Sequence, residues 1–471
     1  MMKKITIALA LMLSAVCMRA QEHALGLIID EAAYNAIPVK AQLLTRDYTN
    51  VPNNYSLKAY CPTPRSQGQH GTCTSWATAY AARTIAEAVN NGWTDRTTIN
   101  RSTFAPMFVY AQINTVRNDK NCQNGTSIDR ALQLMKNKGV PKMSAFTPQC
   151  ACDVPSNLFN DALKYKITDY FTLFNSLEKS EVRKVSAIKK AISQNRPVLI
   201  GMEVYSSFDR AEGVWNGKRD SHRGGHAMCI IGYDDNKYGG AFELMNSWGT
   251  DWGNDGFIWV RYSDLCANVD WAWEMYVEKG KTEDDKPTPT PVVPKNTLSG
   301  DIEMTLSSGK SMSPQRTSAP SVATFRMAGS YISGTRYRLY ISNDEPAYVY
   351  VLGSDLTNSV SRVFPPADNI SPALVYASNH IAIPDEKWFI EMDDTKGTDY
   401  ICVLYSKSAL DIKQIISRIQ NASGSFQDKV KTALGKQMVS ASETRFGQTG
   451  ISFSATSYSQ VVPVVIEIDH K

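Results

Sequence analysis

The chain shows two kinds of hydrophobic periodicity before residue 280. Apolar residues recur every three or four positions over 73–89, and Asn-Asn-Gly follows, which predicts a helix and its end. Residues 126–138 and 182–193 predict further helices. From Pro197 onward the pattern changes to short apolar runs bounded by Gly, Asp and Asn, which are typical of strands: 197–205, 226–235, 241–249 and 256–263. Helices followed by strands predict an α+β domain with two lobes and a ligand cleft between them.

The hydrophobic pattern changes again after a segment rich in Pro and Thr. Residues 281–296, KTEDDKPTPTPVVPKN, favour an extended linker. Beyond it, β-branched and aromatic residues alternate or cluster in five runs: 337–343, 346–355, 387–394, 399–407 and 461–469. Two helices are expected, at 410–419 and 427–438. This pattern predicts a small β-rich, sandwich-like domain with helical insertions.

The N-terminus has the pattern of a secretory signal peptide. Lys3 and Lys4 precede an apolar run over 5–16, and Ala20 is a small residue suited to the cleavage position. Lipid attachment at Cys17 is an alternative. We therefore expect an exported protein, extracellular, periplasmic or on the cell surface, and no later run is long and apolar enough to cross a membrane.

These patterns together divide the chain into five segments. They are a signal peptide (1–20), a lead segment (21–51), an α+β domain (52–280), the linker (281–296) and the β-rich domain (297–471).

The charge and the cysteine content of the chain bear on which classes of function are possible. The 471 residues carry a formal net charge of +4, with basic and acidic residues interspersed, so nucleic-acid binding has no support. Nine cysteines are present, and an exported chain can pair them, although sequence alone does not give the connectivity. Cys150 and Cys152 lack zinc-site spacing and favour a disulfide, with Cys122 as one candidate partner. We expect no cofactor and no metal, and the sequence indicates no oligomeric state.

Cys73 is the candidate nucleophile. It lies where a helix is predicted to begin, and the amides of a first helical turn favour the thiolate that attacks carbonyl carbons. A histidine must take its proton. Of the six histidines, His222 and His226 are placed best along the chain, and His226 is favoured because it opens a predicted strand, whereas His222 is expected on a mobile loop.

Three further side chains complete the candidate site. The amide oxygen of Asn246 can orient the imidazole, and Trp248 can cover that hydrogen bond. Gln67, six residues before the cysteine, can donate to the oxyanion of a tetrahedral intermediate together with the backbone N–H of Cys73. Taken singly, Asn246 and Trp248 also fit a turn residue and a core aromatic, and Cys73 fits half of a disulfide.

The same residues carry a family resemblance. Gln67-Gly68 with Gly71-Thr72-Cys73, His226-Ala227, and Asn246-Ser247-Trp248-Gly249 with Trp252-Gly253 stand in the order and register of the papain-like (C1) cysteine peptidases. Residues from about 52 to 278 resemble that family, in a divergent bacterial branch. The resemblance implies a two-lobed fold in which Cys73 is the nucleophile, His226 the acid and base, Asn246 the orienting residue and Gln67 the oxyanion donor.

The resemblance also extends to substrate binding, with some departures. It implies backbone contacts to substrate at Gly125 and Thr126. Thr74 stands where an aromatic residue is usual, and His70 replaces a cysteine, so a disulfide typical of the family is not expected there. The lead segment, 21–51, is too short for the family's usual inhibitory propeptide, so zymogen control is not expected unless something else provides it.

The C-terminal part resembles a second family. Residues of about 330–412, including the runs Tyr348-Val349-Tyr350-Val351 and Val403-Leu404-Tyr405, look like the domain of unknown function DUF4384, which implies a β-rich accessory module. The function predicted for the whole chain is a secreted cysteine peptidase that hydrolyses protein or peptide substrates through an acyl-enzyme. The alternatives are an inactive peptide-binding homologue and an acyl transferase using the same Cys-His-Asn site.

Overall fold

The computed structural model describes most of the chain. The predicted signal peptide lies outside the described residues, as does the predicted linker up to residue 294. No helix within the described ranges combines the length and apolar character that crossing a bilayer requires. The described ranges are 22–40, 51–278, 295–317, 322–355, 357, 359–375, 380–385, 388–447 and 449–471.

The helices of the N-terminal part lie mainly before its strands. They are α1 (Glu31–Ala36), α2 (Cys73–Ser75), α3 (Thr84–Asn91), α4 (Arg96–Arg101), α5 (Pro106–Ile113), α6 (Ile128–Lys138), α7 (Leu158–Leu163), α8 (Glu181–Ser193), α9 (Ser206–Asp209) and α10 (Tyr262–Asn268). Residues Trp76–Arg83 form a π-helix that joins α2 to α3. The helix predicted over 73–89 thus exists, and it ends where Gly92 adopts φ 66° and its N–H donates to two carbonyls of the last turn.

The strands of the N-terminal part form one sheet. They are β1 (Val39–Lys40), β2 (Asn54–Ser56), β3 (Asp169–Thr172), β4 (Val198–Tyr205), β5 (Val214–Trp215), β6 (His222–Asp234), β7 (Ala241–Met245), β8 (Phe257–Arg261) and β9 (Val269–Tyr276). The order along the sheet is β1-β3-β9-β4-β6-β7-β8-β5, and β2 pairs with β6. We call α2–α7 the helical lobe and β4–β9 the β lobe. The predicted two-lobed α+β fold is confirmed.

The C-terminal part is a pair of packed sheets. Its strands are β10 (Asn296–Leu306), β11 (Pro314–Arg316), β12 (Ala323–Tyr331), β13 (Arg336–Asn343), β14 (Ala347–Ser354), β15 (Val360–Phe364), β16 (Ile370–Ser371), β17 (Ala373–Leu374), β18 (Ile381–Ile383), β19 (Ile390–Glu391), β20 (Gly397–Ser406), β21 (Thr444–Phe446), β22 (Ile451–Ser457) and β23 (Val461–His470). One sheet centres on β13-β10-β22 and the other on β12-β23-β20-β14. The predicted β-rich sandwich with helices is confirmed.

Apolar side chains on the inner faces of the two sheets form the C-terminal core. Ile302 and Leu339 of one sheet pack with Val403 and Val464 of the other. Helices α11 (Ile412–Asn421) and α12 (Phe426–Leu434) cover the outer face of the second sheet with a separate apolar cluster. Alternation along each strand places one face inside and one outside, as in other sandwiches.

The two parts of the chain share a sheet edge. Strand β1 pairs in parallel with β3 on one side and with β16 on the other, so a strand of the C-terminal part extends the N-terminal sheet. Beside this edge, Phe171 and Tyr276 of the N-terminal part pack against Ala373 and Val375. The lead segment therefore supplies the strand through which the two parts are hydrogen-bonded.

A hydrogen bond across the same interface can be tested. The hydroxyl of Tyr348 donates to Asp169 Oδ2 at 2.7 Å, and Lys136 forms an ion pair with the other carboxylate oxygen. We expect Tyr348→Phe to lower the free energy of unfolding by about 1–3 kcal/mol, because the carboxylate loses a partly buried donor. Urea denaturation measures the change, with Tyr458→Phe, at an exposed position, as the control. Equal midpoints for the two variants would contradict the assignment.

Candidate active site

Cys73 begins the helix of the helical lobe. Thr72 precedes it without a side-chain cap, so amides of the first turn remain available to an anionic sulfur. Gly71 is required for the approach of this turn to the neighbouring loop, since a Cβ there would lie 2.6 Å from the carbonyl oxygen of Gln123. The N–H of Ala227, in β6, donates to Cys73 Sγ at 3.4 Å. The sulfur therefore lies between the two lobes.

His226 is held in the middle of the β lobe. It lies on β6 between β4 and β7, is fully buried, and its Nε2 donates to Asn246 Oδ1 at 2.7 Å. The N–H of Ser247 also donates to that oxygen at 2.7 Å, which fixes the orientation of the amide. Trp248 stacks on the imidazole with ring centroids 4.7 Å apart. Within the described residues, His226 Nδ1 has no hydrogen-bond partner, since the hydrogen bond of the ring to Asn246 uses Nε2.

Burial favours the neutral forms of the Cys73 thiol and the His226 imidazole. Desolvation raises the pKa of the Cys73 thiol to about 12, although the amides near it act in the opposite direction. Desolvation also lowers the pKa of His226 to about 4, and the hydrogen bond to Asn246 only partly offsets this shift. With the cleft covered as it is, a thiol and a neutral imidazole are favoured over the ion pair.

Gln67 is buried beside the cysteine, with both ends of its amide engaged. Its Oε1 accepts from Ser247 Oγ at 2.6 Å, which aims Nε2 towards the cleft. Nε2 donates to the carbonyl oxygen of His70 at 2.7 Å and to that of Leu25 at 3.2 Å. The predicted oxyanion donor is therefore in contact with a backbone carbonyl of the lead segment.

Residues 22–29, which we call the strap, lie across this site. Thr126 N–H donates to the carbonyl of Gly26 at 2.8 Å, and Ile28 N–H donates to the carbonyl of Thr126 at 3.0 Å. On the β lobe, Leu27 N–H donates to the carbonyl of Gly225 at 3.2 Å. The strap thus pairs with both walls of the cleft, and its Gly26 lies against Gly71 of the loop that leads to Cys73.

All seven residues chosen from the sequence come together here. Cys73, Gln67, His226, Asn246 and Trp248 lie within one network, and the loop of Gly125 and Thr126 forms its wall. Their proximity does not by itself establish catalytic and binding roles, and these roles stay predictions. The wall residues contact the strap, which occupies the place expected for a substrate.

The contacts of the lead segment with the candidate site were not predicted from the sequence. The sequence favoured only His222 and His226 among the histidines, yet the ring of His23 stacks on Trp248 with centroids 4.5 Å apart. The alternation of Leu25, Leu27 and Ile29 before a helix cap was a usable signal of a strand-like segment. The glycine pair that precedes His226 signalled close backbone approach, because Gly225 lies against Leu27.

Two other expectations can be compared with the structure. His222 is not on a loop: it begins β6, and its Nε2 lies 2.6 Å from Glu203 Oε2, so pairing with β4 orders this stretch. The expected disulfide of Cys150 is confirmed, with Cys122 as its partner, whereas Cys152, which was also expected to form a disulfide, is a free thiol. This bond ties down the loop that leads into the cleft wall at Gly125. Among the described residues no cluster of three or more His, Cys, Asp or Glu side chains is arranged to hold a metal ion.

Comparison with known proteins agrees with the motif analysis. The family model described as "Papain family cysteine protease" matches residues 55–272. This part of the chain, a little under half of its length, is thus similar to the papain family. Residues 330–409 match the domain of unknown function DUF4384.

Individual relatives of the papain-like part are distant. An uncharacterized peptidase C1-like protein of Acanthamoeba polyphaga mimivirus is 26% identical over 42% of this chain and 63% of its own. The cathepsin B-like protein CP3 of Giardia intestinalis is 38% identical over 17% of this chain and 28% of its own. The chain thus spans less than two thirds of the length of these relatives. The crystal structure of xylellain, a cysteine protease from Xylella fastidiosa, is 22% identical, with a TM-score of 0.43, over 54% of this chain and 97% of its own.

Proposed function

We propose that the protein is an exported cysteine peptidase in which Cys73 is the nucleophile. The observation that supports this most strongly is the meeting of a helix-start cysteine with the backbone beside His226, while Asn246 holds that imidazole. Homology to cysteine proteases over 55–272 points to the same class of reaction. The export, the bacterial origin and the protein or peptide substrate are part of the proposal.

The proposed reaction uses each group in one role. His226 Nδ1 accepts the thiol proton as Cys73 Sγ attacks the peptide carbonyl carbon, which forms the S–C bond and an oxyanion. Gln67 Nε2 and the backbone N–H of Cys73 donate to that oxyanion. Collapse breaks the C–N bond, and the imidazolium returns its proton to the leaving amine. Water, deprotonated by the same imidazole, then hydrolyses the thioester and restores the thiol.

The decisive experiment compares two cysteine variants in a protein with an open cleft. A form that begins at Asp30 lacks the strap but keeps α1, and its hydrolysis of fluorogenic peptides can be followed directly. Cys73→Ala should lower this activity by at least about 10⁴-fold, because no other group replaces the nucleophile. Cys152→Ala removes a half-buried thiol that forms no disulfide and should leave the activity unchanged. Activity that survives Cys73→Ala would exclude the proposal.

The two alternatives predict different results from the same protein. An inactive peptide-binding homologue should react with a thiol-directed epoxide no faster than free cysteine does, since its thiolate would not be activated. An acyl transferase should form a new amide when a primary amine is added, because the amine and water compete for the thioester. Mass spectrometry of the products separates both from hydrolysis.

A further inference from the structure

A cavity of about 270 Å³ lies at one end of the C-terminal sandwich, and only residues of the C-terminal part line it. It is placed between the two sheets. Tyr337 pairs with Ile390 on β13 and β19 of one sheet, and Gly353 pairs with Ile401 on β14 and β20 of the other. Its volume is just below the roughly 300–1,000 Å³ of pockets for drug-sized molecules, so it suits a small group such as one side chain.

The inner part of this cavity continues the apolar core. Tyr337, Met392 and Ile401 belong to the core cluster between the two sheets and are almost fully buried. Val363 and Ile390 pack against the same cluster and are partly buried. An aliphatic group in the cavity would exchange water for these apolar neighbours, which favours binding in proportion to the area covered.

The outer part of the cavity is acidic. Among its lining residues are four carboxylates and neither lysine nor arginine: Asp355, Glu391, Asp393 and Asp399. Arg336 forms an ion pair with Glu391 at 2.6 Å, so that carboxylate has a counter-charge. The other three form no ion pair with a lysine or arginine in the described part of the chain. A wall of one sign of charge attracts ligands of the opposite sign, so a cation is the expected ligand.

Two polar groups of the cavity have hydrogen-bonding capacity that the described residues do not use. Tyr337 is 3% exposed, and its hydroxyl forms no hydrogen bond with another described residue. Asp399 Oδ2 lies 3.3 Å from His470 Nδ1, whereas the buried Oδ1 has no described hydrogen-bond partner. Burial and the charge of Asp399 both raise the pKa of the Tyr337 hydroxyl, so the two groups are within electrostatic reach of each other. Because buried polar groups are nearly always hydrogen-bonded, an N–H donor in this cavity would suit both.

The carboxylates are distributed in a way that suits an organic ammonium. Within the described ranges, no three His, Cys, Asp or Glu side chains converge as a metal site requires, and these carboxylates come from three separate segments of the wall. An ammonium has three donors that can point to separate acceptors, whereas a guanidinium pairs best with a planar set of two. Tyr337 and Asp399 each offer one acceptor atom, from opposite sheets.

We propose that this cavity binds a primary ammonium group carried on an aliphatic stem, as in a lysine side chain or a free alkylamine. The stem lies on the apolar inner part, and the ammonium donates to Asp399 Oδ1 and the Tyr337 hydroxyl. Asp355, which is half-buried, and Asp393, which is exposed, add negative charge nearer to the solvent. The site goes beyond the proposed function, because it lies outside residues 55–272 and involves no hydrolysis.

Calorimetric titration with pentylamine tests the site in the full chain carrying Cys73→Ala, in which peptide probes should stay intact. We expect one molecule bound per chain, and at least about tenfold weaker binding of pentan-1-ol, which has the same stem without the charge. Asp399→Asn should weaken pentylamine binding by at least about tenfold, and Tyr337→Phe by about three- to tenfold. Asp344→Asn is the matched control, because it removes the same charge at an exposed position just beyond the other end of β13.

Filling the cavity provides a second test that changes no charge. A Cβ on Gly353 would lie 3.4 Å from Ser361 Oγ and 3.5 Å from Val363 Cγ2, which are ordinary contacts with two residues of the cavity wall. Gly353→Leu should therefore extend into the cavity without a backbone clash and abolish pentylamine binding. Gly353→Ala is its control and should retain most of the affinity. Circular dichroism establishes that the compared variants are folded.

A blocked peptide with one lysine, and the same peptide with norleucine in its place, distinguish the sources of the ammonium. Tighter binding of the lysine peptide than of pentylamine would assign the site to polypeptides, and equal or weaker binding would assign it to small amines. Absence of pentylamine binding would overturn the proposal, as would equal affinities of the parent, Asp399→Asn and Tyr337→Phe. Equal binding of pentan-1-ol and pentylamine, or displacement of pentylamine by tightly bound calcium, would overturn it as well.

Discussion

Replacing His226 with Ala is expected to lower kcat/KM for peptide hydrolysis by about 10³- to 10⁴-fold in the protein that begins at Asp30. In the proposed mechanism the imidazole takes the thiol proton and returns it to the leaving amine. Asn246 and Trp248 hold the ring in place, so its orientation does not have to be reached anew in each turnover. Without the ring, attack depends on the small fraction of spontaneously ionised thiol.

His222→Ala is the matched control for this prediction. His222 lies on the same strand, but it is exposed and forms an ion-pair contact with Glu203, away from the sulfur. Its loss should leave kcat/KM within about twofold, in keeping with the small energies of exposed ion pairs. The pH dependence of the rate provides a second readout, because His226→Ala should remove the group whose ionisation limits activity at low pH. Comparable activity of His226→Ala and the parent protein would rule out the acid–base assignment.

Tyr34→Ala is expected to produce the largest change in stability, lowering the free energy of unfolding by about 3–5 kcal/mol. The side chain is fully buried, packs edge-on against Trp273 with ring centroids 4.9 Å apart, and has its hydroxyl bonded to two backbone groups. The hydroxyl donates to Phe174 O and accepts from Ala272 N–H at 3.2 Å. Truncation creates a cavity and leaves both backbone groups without their partner.

Urea denaturation followed by tryptophan fluorescence measures this effect. Tyr34→Phe retains the ring and loses only the hydroxyl, so it should cost about 1–2 kcal/mol. A loss below about 1 kcal/mol for Tyr34→Ala would mean that the lead segment is not part of the folded core.

Much of this architecture follows from local pattern. Helical periodicity with a terminal Gly92 predicted the helix that carries Cys73, and strand-length apolar runs predicted β4, β6, β7 and β8 to within a few residues. These elements form where expected because their secondary structure follows from the spacing of apolar residues within a short stretch of sequence. A helix buries one face, and a short strand buries one face or its whole length. The residues of the candidate site could also be predicted from the sequence, because its motifs are defined by residue types at fixed spacings.

The position of the strap in the cleft could not be predicted from the sequence in this way. The strap pairs with Thr126 and Gly225, which lie about 100 and 200 positions further along the chain, and no local period encodes such contacts. Length alone indicated only that the lead segment is too short for the family's usual inhibitory propeptide. A docked segment needs only enough residues to cross the cleft, however, and its fit depends on missing side chains on both sides of Gly26.

The amino-acid pattern was sufficient to predict the two classes of domain, the order of helices and strands, and the residue types of the candidate site. Three features became apparent only from the folded chain: the pairing of Cys122 with Cys150, the joining of the two parts through β1 and β16, and the contact of the lead segment with Gln67. The physical reason is the range of the interactions. Periodicity records how each residue is buried relative to its neighbours, whereas these contacts join segments that become adjacent only after the lobes and the sandwich have formed.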